Sequence, residues 1–164
     1  MVPRIENTGP EPLGPRVLIL GLPASGKTTF AQSLARISDR LQIEVDRFYW
    51  DENRRPVSRE VLKKNLIPLL SLSSFVVEGH FKTIHPLLDG RITNVIWLDP
   101  PLVVVFFRCA IRDLSRGGVS ALFRAEGTFR FLLKNHSKLR KMQKVAFTRL
   151  TQSEKIAGQR FVNF

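Results

Sequence analysis

Apolar residues along this chain fall into two patterns: short, nearly unbroken runs, and longer stretches in which they recur every three or four positions. The run RVLILG (16–21) is almost wholly apolar and ends in glycine, as expected of a parallel strand buried on both faces. KTTFAQSLARIS follows, with Phe30, Leu34 and Ile37 on one helical face. LQIEVD (41–46), SFVVEG (74–79) and NVIWLD (94–99) predict three further strands, and each carries an acid near its end: Asp46, Glu78 and Asp99. Between the second and third, SREVLKKNLIPLLS predicts a helix that Ser58 can cap, with Val61, Leu62, Leu66 and Leu69 available to pack and Pro68 making its far end irregular. HFKTIHPLLDG predicts a loop with a short helix.

The stretch PPLVVVFFRCAIRDLSRGG mixes β-branched residues with prolines suited to a helix's first turn, and it reads as a helix from about 101 to 115, ended by Gly117 and Gly118. A long basic helix, TFRFLLKNHSKLRKMQ, comes next. A final strand, VAFTRL (145–150), and a terminal helix opened by Thr151 and Glu154 as a capping pair complete the pattern. Strands alternating with helices imply a parallel sheet with helices on both faces. The expectation is a three-layer α/β fold on a five-stranded parallel sheet.

Composition bounds this picture. The 164 residues suffice for one domain, expected over 16–164, while MVPRIENTGPEPLGP (1–15) is rich in proline and glycine and is expected to be a flexible tail. No apolar stretch approaches the roughly 20 residues needed to cross a bilayer. Cys109 is the only cysteine and no secretory pattern opens the chain, so a cytoplasmic protein is expected. The net charge of +12 is uneven, because residues 101–164 hold 13 Lys/Arg against 3 Asp/Glu. Such an excess attracts polyanions, nucleotide phosphates and nucleic acids alike.

The chemistry concentrates in GLPASGKTT (21–29), which fits G-x-x-x-x-G-K-[ST] between an apolar strand and an amphipathic helix. Backbone N–H groups of such a loop converge at a helix N-terminus, where the dipole favours an anion. Gly21 and Gly26 let the main chain wrap closely around phosphates, with Ala24, Ser25, Gly26, Thr28 and Thr29 in the cradle. Lys27 can reach the β- and γ-phosphates, and Thr28 is placed to hold Mg²⁺. ATP and Mg²⁺ are therefore the expected ligands. Chemistry in such sheets gathers beyond the carboxyl ends of the strands. Asp46 is there a candidate to take a proton from an acceptor hydroxyl or to hold substrate, Glu78 a candidate for the magnesium's outer shell, and Asp99 a structural acid of the DPP turn.

With these residues in hand, the chain resembles a P-loop kinase of the adenylate-kinase-like group, and more closely the bacterial topology modulation proteins. The resemblance rests on VLILGLPASGKTT, EVDRFYW, FVVEGHF, VIWLDPPLVVVFFRCAIRD and FLLKNHSKLRK in that order. It implies the P-loop NTPase fold with a short lid, Arg108 near the nucleotide base, Arg112 near the transferring phosphates and Arg116 at the start of the lid. Where adenylate kinases have an aspartate-glycine followed by phenylalanine-proline-arginine, this chain has EGHFK. The expected activity is thus transfer of the ATP γ-phosphate to a small-molecule acceptor that the sequence does not identify.

Other classes fare differently. No N/T-K-x-D or D-x-x-G occurs, which excludes an ordinary GTPase, and His80, His85 and His136 lack metal-site spacing. The rival reading is a nucleic-acid-associated P-loop ATPase or an ATP-binding regulatory protein. It rests on Arg130, Lys134, Lys138, Arg140, Lys141 and Lys144, with Phe129 and Phe131 able to stack on bases if exposed. Phe48, Tyr49 and Trp50 read equally as a substrate wall or as core, and Cys109 as a buried, inert thiol.

Overall fold

Strand β2 (Arg16–Gly21) occupies the middle of the sheet because Val17, Leu18, Ile19 and Leu20 have apolar neighbours on both faces and are fully buried. The computed structural model describes residues 5–7, 13–79, 84–117, 120–153 and 157–161. In chain order the elements are β1 (Ile5–Asn7), β2, α1 (Lys27–Ile37), β3 (Leu41–Glu44), α2 (Asp46–Tyr49), α3 (Arg59–Leu70) and β4 (Phe75–Glu78). They continue with α4 (His85–Leu88), β5 (Asn94–Leu98), α5 (Leu102–Gly117), α6 (Ser120–Ser153) and β6 (Ala157–Phe161). The sheet runs β1-β6-β5-β2-β4-β3, parallel throughout except for β1, which pairs antiparallel with β6. β5 thus lies directly beside β2 on one side, with β4 and then β3 on the other, so the strand order reverses beside the loop that follows β2.

Alternation along the strands divides the core in two. Val17, Ile19, Val76, Ile96 and Leu98 face α1, where Ala31 and Ala35 bring the helix close and Phe30 and Leu34 flank the contact. Ile37, expected on that face, is 81% exposed. Leu18, Leu20, Ile43, Phe75, Val77, Val95 and Trp97 face the other way, onto Leu62, Leu66 and Leu70 of α3, Leu88 of α4 and Leu150 of α6. The spacing of four in α3 selects Leu70 over the predicted Leu69, and Val61 remains outside. Full burial of one such leucine or of Phe75 is worth about 2–3 kcal/mol.

Four parallel strands, β2 to β5, are those the sequence predicts. The fifth predicted strand is corrected: VAFTRL lies inside α6. As a helix it places Ala146, Phe147 and Leu150 together against the sheet, with Phe147 5.7 Å from the Trp97 ring, and leaves β-branched Val145 67% exposed. Helical periodicity therefore outweighs the local β propensity. The place beside β5 goes instead to AGQRF of β6, where a terminal helix was expected.

The expected tail is also partly structured. Ile5–Asn7 forms β1, and Leu13 packs beneath α1. Gly14 donates to Asn94 Oδ1 at 2.6 Å, and a Cβ at Gly14 would lie 2.7 Å from that oxygen. The expected lid between α5 and α6 includes residues outside those described. Among the described residues, no helix is long and apolar enough to cross a membrane.

Candidate active site

The phosphate loop leaves β2 at Gly21, where the register pairs Gly21 with Leu98 of β5. A Cβ at Gly21 would lie 2.8 Å from the Leu98 carbonyl oxygen and would run into Ser25 Oγ, so the loop can fold back over the strand end only with glycine there. Ser25 N donates to Leu22 O at 3.1 Å, closing the turn. Ala24 and Gly26 are left-handed, at φ 58° and 96°, which turns successive amides toward one side. Gly26 caps α1 without any side-chain hydrogen bond. The first amides of α1 thus receive no side-chain cap, the arrangement that an anion fits. Ser25 Oγ is buried inside the loop and has no hydrogen-bond partner among the described residues, a further donor suited to a phosphate.

Lys27 opens α1 and curls over the loop, donating from Nζ to Leu22 O at 2.8 Å. Burial holds its pKa below the ordinary lysine value, and Arg112 lowers it further, against the opposing charges of Glu78 and Asp46. Glu78, Asp46 and Arg112 thus all lie within electrostatic reach of Lys27, although the four come from separate elements. At the next residue, Thr28 Oγ1 donates to Glu78 Oε1 at 2.9 Å. Burial pushes the Glu78 carboxyl above its usual range, while the Thr28 hydrogen bond and the Lys27 charge pull it back. A hydroxyl and a carboxylate side by side are hard oxygen donors, so this pair fits Mg²⁺ brought in with a nucleotide. Among the described residues no cluster of three or more His, Cys, Asp or Glu forms a separate metal centre.

Asp46 reaches the site through a second close approach. Glu44 and Glu78 are paired in register, and Val45 N donates to Glu78 O at 2.8 Å. At Gly79, with φ 137°, a Cβ would lie 2.7 Å from the Val45 Cβ. Glycine after Glu78 is what lets the start of α2, and with it exposed Asp46, settle beside the end of β4.

From α5, Arg108 Nη1 donates to Ser25 O at 3.0 Å, fastening this helix to the phosphate loop, while Val105 and buried Cys109 pack on Ala24. The backbone of Arg116 lies in α5, and its side chain is outside the described residues. Thr29 is exposed on α1. Asp99 has the structural role expected of it, with a partner the sequence did not reveal: Arg140 Nε donates to both carboxylate oxygens at 3.0 Å and Nη2 to Oδ2 at 2.7 Å. Of the aromatic trio, Phe48 and Tyr49 pack at the core margin and Trp50 is 48% exposed, its ring 4.9 Å from Tyr49 in a T-shaped contact. Sequence reasoning missed the cavity beside Trp97, whose lining residues Arg140, Lys141 and Lys144 it had read as a basic surface for nucleic acid.

No protein-family model matches the chain, and no curated protein matches it. Solved structures similar to it include a shikimate kinase from Bacteroides thetaiotaomicron, 15% identical with a TM-score of 0.49 over 86% of this chain and 98% of that one. A putative kinase from Chloroflexus aurantiacus is 23% identical at a TM-score of 0.45, over 62% of this chain and 66% of that one. A shikimate kinase from Aquifex aeolicus is 20% identical at 0.45, over 75% and 81%. The chain's own features are those of an α/β fold, with a glycine-lysine loop after a central strand of a largely parallel sheet flanked by helices.

Proposed function

We propose that this protein is an ATP-dependent phosphotransferase that moves the γ-phosphate of ATP to a hydroxyl or phosphate group of a small-molecule acceptor, a nucleoside or nucleotide among the candidates. The observation carrying this reading is the convergence of Lys27, the Thr28–Glu78 pair, Asp46 and Arg112 around an uncapped helix start. An acceptor oxygen forms a bond to the γ-phosphorus as the bond to the β–γ bridging oxygen breaks, and ADP leaves with that electron pair. Asp46 takes the acceptor's proton, and the loop amides with Lys27 hold the β- and γ-phosphates. Arg112 and Arg116 neutralise charge developing on the transferred group, and Arg108 orders the loop near the base. Thr28 and Glu78 would hold Mg²⁺, which would supply charge neutralisation to the bound phosphates. A cytoplasmic setting suits an ATP-dependent enzyme with a buried reduced thiol.

The test is ADP formation by purified protein with Mg-ATP, alone and with a panel of nucleosides and nucleoside monophosphates, beside a Lys27→Ala control. Acceptor-dependent turnover that the control lacks is expected. ATP binding without acceptor-dependent turnover across the panel would count against transfer to a compound of this class. With a productive acceptor, Asp46→Asn is expected to lower kcat about 10²–10⁴-fold, as for loss of a general base; turnover within a few fold of wild type would remove Asp46 from that role.

A second reading has one observation in its favour. Arg130, Lys134, Lys138 and Lys141 are exposed along one stripe of α6, a surface that suits a nucleic-acid backbone. It predicts ATP hydrolysis stimulated by single-stranded nucleic acid, with affinity falling steeply as salt rises.

A further inference from the structure

Away from the phosphate loop, the face of α6 turned toward β5 borders an open cavity of 360 Å³ lined by Trp97, His136, Ser137, Arg140, Lys141 and Lys144. We propose that this cavity is a binding site for the phosphate or carboxylate group of a small anionic molecule, whose apolar or planar part lies against Trp97.

The charge arrangement is the first argument. Three permanent cations line one concavity and no carboxylate is among the lining residues. Neither Lys141 nor Lys144 forms an ion pair among the described residues. Asp99, the acid that Arg140 pairs with, has both of its oxygens taken by Nε and Nη2 of that arginine. That fork fixes the guanidinium from behind and leaves its Nη1 donors uncommitted to Asp99. Like charges gathered in a hollow with a low-dielectric wall repel one another and focus a positive field, and an anion relieves both effects.

Shape and position agree with the charge. Trp97 is 3% exposed and held by Phe147, so the indole is a fixed wall rather than a mobile cover. The volume is at the lower end of the roughly 300–1,000 Å³ range of small-molecule sites. Trp97 is paired with Leu20, one residue before the phosphate loop begins, and Asp99 follows β5 directly. The cavity thus lies toward the carboxyl end of the sheet, on the face opposite α1. Its anion could belong to the acceptor of the proposed transfer or to a separate molecule, and the same side chains would bind either.

The protein has two tryptophans, so Trp50→Phe makes Trp97 the sole indole reporter. Adding Lys27→Ala weakens the competing phosphate loop. Inorganic phosphate and malonate are titrated into this double variant at about 0.15 M chloride, where weak attraction between exposed charges is screened. A saturable change in Trp97 emission is expected with at least one of them, weakened at least about tenfold by Lys144→Glu and less by Lys141→Ala. Melting curves check that each variant is folded; if Lys144→Glu is not, Lys144→Ala replaces it. No saturable change with either anion, or a change that neither Lys144 substitution moves, would overturn the site. Repeating the titration with Lys27 restored and a non-hydrolysable ATP analogue bound separates the two sources: coupled affinities indicate the acceptor's own anionic group, and independent ones a separate ligand. Because the first titration does not use Lys27, it stands or falls independently of the phosphotransferase reading.

Discussion

Two helices that begin on the same scaffold begin in opposite ways. α3 starts at Ser58, whose backbone is extended and whose hydroxyl accepts from Val61 N at 3.3 Å, so one of its first amides is satisfied within the chain. α1 starts at left-handed Gly26, with no side-chain cap and no acid in its first turn. A cap stabilises a helix by about 1 kcal/mol, and α1 forgoes it. Its uncapped start also holds a lysine whose charged form is disfavoured by burial and a serine hydroxyl without a partner among the described residues. One end is capped from within the chain, and the other leaves its first amides without a side-chain cap.

Substitutions can break this contrast. The largest effect is expected from Lys27→Ala, which should weaken ATP binding about 10²-fold or more, since a buried charge-assisted contact to phosphate is lost, while the melting temperature stays the same or rises. Calorimetric titration with Mg-ATP checks both parts when combined with a thermal melt. Unchanged affinity would dissociate the loop from phosphate. Gly21→Ala is expected to cost about 1–3 kcal/mol in urea unfolding, because the added methyl meets the Leu98 carbonyl oxygen at 2.8 Å and ATP affinity should fall with it. A variant as stable as the parent would show that the loop has room to move.

Ser58→Ala should cost about 1 kcal/mol in the same unfolding measurement and leave ATP affinity untouched. Any loss of ATP binding there would erase the distinction between the two helix starts. The smallest expected effect concerns Glu78→Gln in the ligand-free protein. Because the folded Glu78 pKa is raised, its contribution to stability is full below the unfolded carboxyl pKa and is lost as pH rises through the folded value. Glutamine cannot titrate, so urea midpoints measured from about pH 4 to pH 7 should decline less with rising pH in the variant. An identical pH profile would mean that burial does not govern this carboxyl.

The sequence made much of this legible where one residue type has one physical use. Apolar runs marked β2 to β5, glycine spacing with a lysine marked the loop, and the acids at strand ends marked Asp46 and Glu78. It was less legible where a residue's partner is distant in the chain. Nothing near Asp99 points to Arg140, and nothing near Trp97 announces that α6 will stand over it. VAFTRL reads as a strand by composition, yet its alternation is weaker than the three-and-four spacing of Ala146, Phe147 and Leu150 once the preceding helix continues into it. AGQRF carries little aliphatic content, so its place beside β5 follows from the sheet rather than from its own side chains.

The pairing of Ile5 with Phe161 joins the start of the described chain to its end. A ribosome delivers these partners in order, so β1 waits through the synthesis of nearly everything between them, and the contact carries the loop-closure cost of the whole domain. The strands that hold the phosphate loop, β2 to β5, are all present earlier and can align without it. Assembly is thus ordered by the direction of synthesis: the strands around the glycine-lysine loop can align while the chain is still emerging, and the sheet edge beyond β5 closes only after β6 is made.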